Sequence, residues 1–151
     1  MKHVILISIG LFTLGCSNAQ KSSKETVPQS VKDVFSKKYP SAKVLDWEKE
    51  VNGFEAEFKM NKIEMSANFS NDGTFMEEEQ EIQTAALPIV ITEYCSKSFP
   101  DYKLSEAAKI IDASGKLTYE AELSKGKMHF DVLFDANGTY ISKGESSEEK
   151  D

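Results

Sequence analysis

Two kinds of hydrophobic spacing alternate along this chain, and they recur in the same order twice. Between Pro28 and Tyr39 the apolar residues Val31, Val34, Phe35 and Tyr39 fall at i, i+3, i+4 and i+8, which is one face of a helix. Pro28 fits the first turn, where its missing N–H costs nothing, and Pro40 ends the segment. The period then drops to two. Val44 to Val51 is predicted as a first strand. Phe54, Ala56 and Phe58 alternate with Glu55, Glu57 and Lys59, and Ile63, Met65, Ala67 and Phe69 alternate with Glu64, Ser66 and Asn68. Thr74 to Glu79 completes four strands. Asn61-Lys62 and Asn71-Asp72-Gly73 suit tight hairpin turns.

The second passage repeats the first. Leu87-Pro88 answers Val27-Pro28, sixty residues on, and the helical stripe becomes Ile91, Tyr94, Cys95 and Phe99, closed by Pro100. Strands are predicted at Lys103 to Asp112, Leu117 to Ser124, Met128 to Phe134 and Thr139 to Lys143. Their turns are Lys125-Gly126-Lys127 and Ala136-Asn137-Gly138. Gly138 lies sixty-five residues after Gly73, so five residues are inserted between helix and hairpins in the second copy. The unit is α-β-β-β-β, used twice. Strict alternation covers each strand on one face only. An α+β fold follows: two repeats forming an antiparallel sheet of about eight strands, one helix per repeat on one face, and an open opposite face. Glu55, Glu57, Glu64, Glu120, Glu122, His129 and Asp131 line that open face.

The ends divide off by composition. Residues 1–19 read as an export signal: Lys2 gives a positive start and Val4 to Leu14 is apolar but too short to span a bilayer. Two processing sites fit. Leu14-Gly15-Cys16 resembles a bacterial lipobox, which makes Cys16 a lipidation candidate, although Thr13 replaces the commoner Leu. Ser17-Asn18-Ala19 suits ordinary cleavage before Gln20. Either way the chain is exported, to the periplasm or to a lipid anchor facing the periplasm or the outside. Residues 20–26 form a tether, 27–82 the first repeat, 83–145 the second, and 146–151 a charged tail. Contact with a membrane is expected only through that N-terminal lipid, and a monomer is expected.

The formal net charge is −7, and the eighteen basic residues include no Arg. Arg provides the forked contacts that phosphates and guanine edges favour, so nucleic acid is excluded as a partner.

The paired motifs Tyr39-Pro40 and Phe99-Pro100, Phe54-Glu55-Ala56-Glu57-Phe58 and Tyr119-Glu120-Ala121-Glu122-Leu123 resemble a known pattern. So do Phe69-Ser70-Asn71-Asp72-Gly73-Thr74-Phe75 and Phe134-Asp135-Ala136-Asn137-Gly138-Thr139-Tyr140. Together they resemble the PepSY-like domain, and more narrowly its tandem beta-lactamase-inhibitor-like group, over about residues 27–145. The resemblance implies a secreted or periplasmic, non-enzymatic module of bacterial envelopes, linked with modulation of hydrolases and gripping a partner on the sheet face. No loop matches an inhibitor's contact residues.

The remaining chemistry is sparse. Cys95 occupies the helical position of Phe35 and reads as a small buried hydrophobe. With Cys16 lipidated or removed, it has no disulfide partner. His129 has no nucleophile or second metal ligand in the pattern, yet it is the first candidate if the face takes a cation. The glutamates read as a solvated face with ordinary acidities. Glu77-Glu78-Glu79-Gln80-Glu81 reads as a solvated junction between repeats. Asp135-Ala136-Asn137-Gly138 lacks the acids of a calcium loop and reads as a hairpin turn. Trp47 reads as a core anchor sharing a face with Leu45 and Val51. If exposed, it is the leading partner hot spot. No phosphate loop, zinc spacing or dinucleotide signature occurs, so neither catalysis nor a cofactor or metal is expected. The function expected is an exported, non-enzymatic module binding a protein or peptide through the open face. The alternatives are an inhibitor or modulator of an extracytoplasmic hydrolase, and a cation or small-ligand sensor.

Overall fold

The computed structural model describes residues 26–148. The export signal, Cys16 and most of the tether lie outside these residues. Helix α1 (Gln29–Lys38) is followed by β1 (Lys43–Glu50), β2 (Gly53–Met60), β3 (Ile63–Ser70) and β4 (Phe75–Ile82). After a single 3-10 turn come α2 (Ile89–Ser98), β5 (Lys103–Asp112), β6 (Leu117–Lys125), β7 (Met128–Asp135), β8 (Tyr140–Lys143) and the two-residue β9 (Ser147–Glu148). The strands form one open antiparallel sheet in the order β1 to β8, with β9 added beside β7. The expected α+β architecture is the one observed.

Both helices cover the same face. In the first repeat Val31, Phe35 and Tyr39 pack on Phe54, Ala56, Phe58, Ala67 and Phe69. In the second, Ile91 and Cys95 pack on Ala107, Ala121, Leu123, Phe130, Val132 and Phe134. Phe35 is the hub of the first core, with ring centroids 5.3 Å from Tyr39, 5.3 Å from Trp47 and 5.1 Å from Phe58. Such pairs add about 0.5–1.5 kcal/mol each beyond area burial. Cys95 replaces that hub in the second core and Ala107 replaces Trp47. The volume is made up by Tyr102 and Phe130, whose rings lie 4.9 Å apart. Interiors are packed at near-crystal density, so a loss at one position must be filled from another.

Three sequence expectations are corrected. A β-bulge between Val44 and Asp46 leaves Leu45 out of the ladder, so Trp47 shares its face with Val44 rather than Leu45. Leu45 is 50% exposed and Val51, in the β1–β2 turn, is 83% exposed. The run Glu77 to Glu81 is no solvated junction: the fourth strand, expected over Thr74 to Glu79, runs on to Ile82, hydrogen-bonded to β3 on one side and β5 on the other. Part of the expected tail is also structured, since Ser147 and Glu148 pair with His129 and Met128.

The hairpins lock onto the helices through their tips. The turn Asp135-Ala136-Asn137-Gly138 is a hairpin as expected, with the Gly138 N–H donating to Asp135 O at 2.9 Å. Gly138 has φ +80°, and a Cβ there would lie 2.3 Å from Val90 Cγ1 on α2. Gly115 has a similar φ of +84° with nothing within 4 Å of the same position. Gly115→Ala should therefore cost about 1 kcal/mol, the left-handed backbone strain alone. Gly138→Ala should cost about 1–2 kcal/mol more, because Val90 must also move. Urea unfolding of the two variants checks the difference.

Candidate functional site

The face away from the helices collects the carboxylates. Period-two alternation places Glu48 opposite Glu55, Glu55 opposite Asn68, Asn68 opposite Glu77 and Glu77 opposite Asp112, a row across five strands. A second row runs Asp46, Glu57, Ser66 and Glu79. In the second repeat Glu106 faces Glu122, which faces Asp131, while Glu120 sits between Ala108 and Leu133. The strand lysines are sorted the other way. Lys49, Lys109, Lys125 and Lys143 lie over the rings of Phe54, Tyr119, Tyr102 and Phe130 on the helix face. By register, Lys43, Lys59 and Lys103 stand on the acidic face, but only in its end rows.

The expectation of a solvated face with ordinary acidities is overturned. Glu55 is fully buried, and Glu120, Asp131, His129 and Ser66 are at most 9% exposed. Among the described residues no hydrogen bond reaches either carboxylate oxygen of Glu55 or the hydroxyl of Ser66. Desolvation is the chief consequence. It pushes Glu55 up to about 8, with Glu50, Glu57 and Glu79 adding repulsion and the nearby Ser66 hydroxyl opposing the shift. Burial raises Glu79 to about 7, helped by Asp131 and Glu77. Asp131 rises to about 6, through burial and then Glu122, with His129 pulling it back. Burial and four neighbouring carboxylates hold Glu120 well above the usual range. Alternation alone could not reveal this, because it assigns a face and says nothing of how closely nine strands crowd their side chains together.

Of the residues singled out from sequence, Glu55, Glu57, Glu64, Glu120, Glu122, His129 and Asp131 do share this face. Glu64 stands at its end row in a salt bridge with Lys59. Glu122 accepts from the Ser105 hydroxyl at 2.6 Å. His129 is held by Ser147 of β9, Oγ to Nε2 2.6 Å. Trp47 is on the other face, edge-on to Phe35 and beside the shallow groove lined by Lys32, Tyr39 and Val44. Sequence reasoning missed Glu48, Glu50, Glu77 and Glu79. Their signal was the same alternation, broken for β1 by the bulge and masked in β4 by a run too acidic to read as a buried strand. Cys95 is buried as expected, and desolvation pushes its thiol up to about 11.

The sequence profile of the family described as "Putative beta-lactamase-inhibitor-like, PepSY-like" matches twice, over residues 16–76 and 55–142. The chain belongs to this family. Its fold is similar to three solved structures. One, described as "putative periplasmic proteins" of Bacteroides eggerthii, is 18% identical with TM-score 0.70, covering 79% of this chain and 88% of that one. A DUF2874 family protein of Bacteroides uniformis is 15% identical with TM-score 0.69, covering 78% and 88%. A BLIP-like protein of Bacteroides fragilis is 16% identical with TM-score 0.65, covering 85% and 92%. No curated protein matches. The PepSY-like pattern of aromatic-Pro, Glu-Ala-Glu and hairpin Gly thus marks structural positions: helix stops, the sheet's two faces and the turn tips.

The raised carboxylates set the sign of the pH response. In the folded state Glu79, Glu120 and Asp131 hold protons more tightly than the unfolded chain does. Stability is therefore greatest near pH 4 and falls as pH rises through about 6 to 8, the range set by Asp131, Glu79 and Glu55. Asp72, Asp112 and Asp135 are shifted down by turn hydrogen bonds and act oppositely, losing their contribution in acid. An optimum near pH 4 follows, where the lowered aspartates are ionised and the raised carboxylates still hold their protons. Glu120→Gln should flatten the loss as pH rises and stabilise the protein by about 1–2 kcal/mol in alkali. Thermal unfolding from pH 4 to 9 checks it, and an unchanged slope would contradict the assignment.

Proposed function

We propose that this chain is a non-enzymatic, exported binding module whose carboxylate face takes a basic segment of an envelope protein or peptide. One observation carries the reading: the middle of the sheet face holds buried, mutually repelling carboxylates, and the strand lysines are at its end rows or over aromatic rings on the opposite face. Directly opposed like charges destabilise a sheet. A partner's ammonium or guanidinium groups restore what burial costs these acids, since each pKa unit recovered is worth about 1.4 kcal/mol. The field of such a face also steers a cationic partner and repels acidic ones. The apolar signal-like start of the chain and the periplasmic description of a structural neighbour support export. The family's description favours a second reading, in which the basic partner is a hydrolase and binding inhibits it.

Calorimetry with a short Lys-rich peptide and its Glu-rich counterpart tests the face. The Lys-rich peptide should bind at low salt and weaken strongly by about 0.5 M salt, where the Debye length falls to a few ångströms. The double variant Glu77→Lys/Glu122→Lys should lose that binding while keeping its circular dichroism spectrum. Binding of both peptides alike, or no effect of the double variant, would overturn the reading. Adding the protein to beta-lactamases and periplasmic proteases separates the inhibitory form from simple binding.

A further inference from the structure

Within the acidic face one group of residues stands apart. Glu48 and Glu50 of β1 and Glu55 of β2 bring one carboxylate oxygen each to within 4.8 Å of one another. Glu55 is the buried floor of the group, and its two oxygens accept no hydrogen bond from the described residues. Glu48 is exposed and Glu50 half-buried, so the group opens to solvent on one side. Ser66, 4% exposed, lies beside Glu55 on the side away from Glu50.

The second repeat provides an internal comparison. Glu55 corresponds to Glu120, whose partner on the preceding strand is Ala108 rather than Glu48. Glu50 corresponds to Ile110. The scaffold therefore needs no acid at either β1 position to support a buried carboxylate. Two acids placed around one that already lacks a partner increase repulsion unless something positive joins them.

We propose that Glu48, Glu50 and Glu55 form a binding site for a hard divalent cation of the calcium class. Oxygens on a shell of about 2.3–2.6 Å around calcium are separated by up to about 5 Å, which the three carboxylates satisfy. The donor set is all oxygen, without His or Cys, and so favours calcium, magnesium or manganese over zinc or copper. Water completes the shell on the open side. With three protein carboxylates and an exposed edge, the affinity belongs with extracellular modules, at a Kd of about 10⁻⁴–10⁻³ M. His129, the sequence-based candidate for a cation, is in the other repeat, tied to Ser147, and takes no part.

The test uses the chelator-stripped chain and the metal alone. Calcium at about 5 mM should raise the melting temperature by a few degrees. Substoichiometric manganese should broaden the amide NMR signals of residues 48–55 before those of β6 and β7. Glu50→Gln should weaken calcium binding at least tenfold, while Glu122→Gln, on the same face outside the group, should leave it within about twofold. Glu55→Gln, nearly isosteric, should fold and lose the calcium-dependent shift. The proposal is overturned by no shift in the parent chain, by equal weakening in Glu50→Gln and Glu122→Gln, or by manganese broadening spread over the whole face. Peptide binding is read separately in metal-free buffer, so failure of either idea leaves the other standing.

Discussion

The structure depends on one constraint: the two faces of a single sheet must stay in phase across eight consecutive strands. A slip of one residue anywhere would turn aromatic side chains into water and carboxylates against the helices. Phase is preserved through β4–β5, the only join not made by a hairpin, where Glu78 pairs with Ile111 and Glu79 with Ile110. It is preserved despite four irregularities, at Val44/Asp46, Asn68/Phe69, Leu104/Glu106 and Leu133/Phe134. These fall at corresponding places in the two repeats. Each inserts one residue, so the bulged strand regains the correct face beyond it while its local twist increases. Leu45 and Ser105, the inserted residues of β1 and β5, need no common chemistry because neither packs in the core.

Phase then determines the electrostatics. With the helices on one face, every in-phase acid on the strands is directed to the other, and helix-side lysines settle over rings. Glu78 is the exception that shows the rule. It alone among the β4 acids at positions 77 to 79 points to the helices, and there it is fully partnered: the Tyr39 hydroxyl donates to it at 2.5 Å and Lys38 lies 3.4 Å away. Burial and that carboxylate keep the Tyr39 hydroxyl well above its ordinary pKa. Glu77, one residue to one side, accepts from the Asn68 amide at 3.4 Å, and Glu79, to the other, is repelled by Asp131 and Glu77. The same sequence run thus contains an acid paired with a cation and acids set among other carboxylates, separated only by which side of the sheet they face.

Much of this was legible in the sequence. Helix stripes ending at Tyr39-Pro40 and Phe99-Pro100, hairpin turns at Gly73 and Gly138, and the inward set Phe54, Ala56 and Phe58 all follow from spacing. What spacing did not convey has identifiable causes. A bulge is invisible to a period-two count, so Leu45 was grouped with Trp47. Five consecutive polar residues from Glu77 carry no apolar alternation, so the end of the fourth strand resembled a solvated junction. Burial of Glu55 and Glu120 arises from neighbours on distant strands, and no local pattern encodes it. The family resemblance bears on topology in the same way, because its motif positions are turns, helix stops and faces.

Duplication lets the two faces be compared as constraints. On the helix side matched positions stay apolar: Val31 with Ile91, Ala56 with Ala121, Phe58 with Leu123, Phe69 with Phe134. Size changes there occur in compensating sets, because packing couples every member to its neighbours. On the acidic side matched positions change chemical type one at a time: Glu48 with Ala108, Glu50 with Ile110, Glu64 with His129, Ser66 with Asp131. A surface with no layer of helix over it imposes charge and hydrogen-bonding demands rather than shape, and those can be met or left unmet locally. Glu55 and Glu120, the one pair kept as buried acids in both copies, are costly to the fold in each. A cost repeated at the centre of both halves, on the face that packing does not need, is the one the proposed binding role would offset.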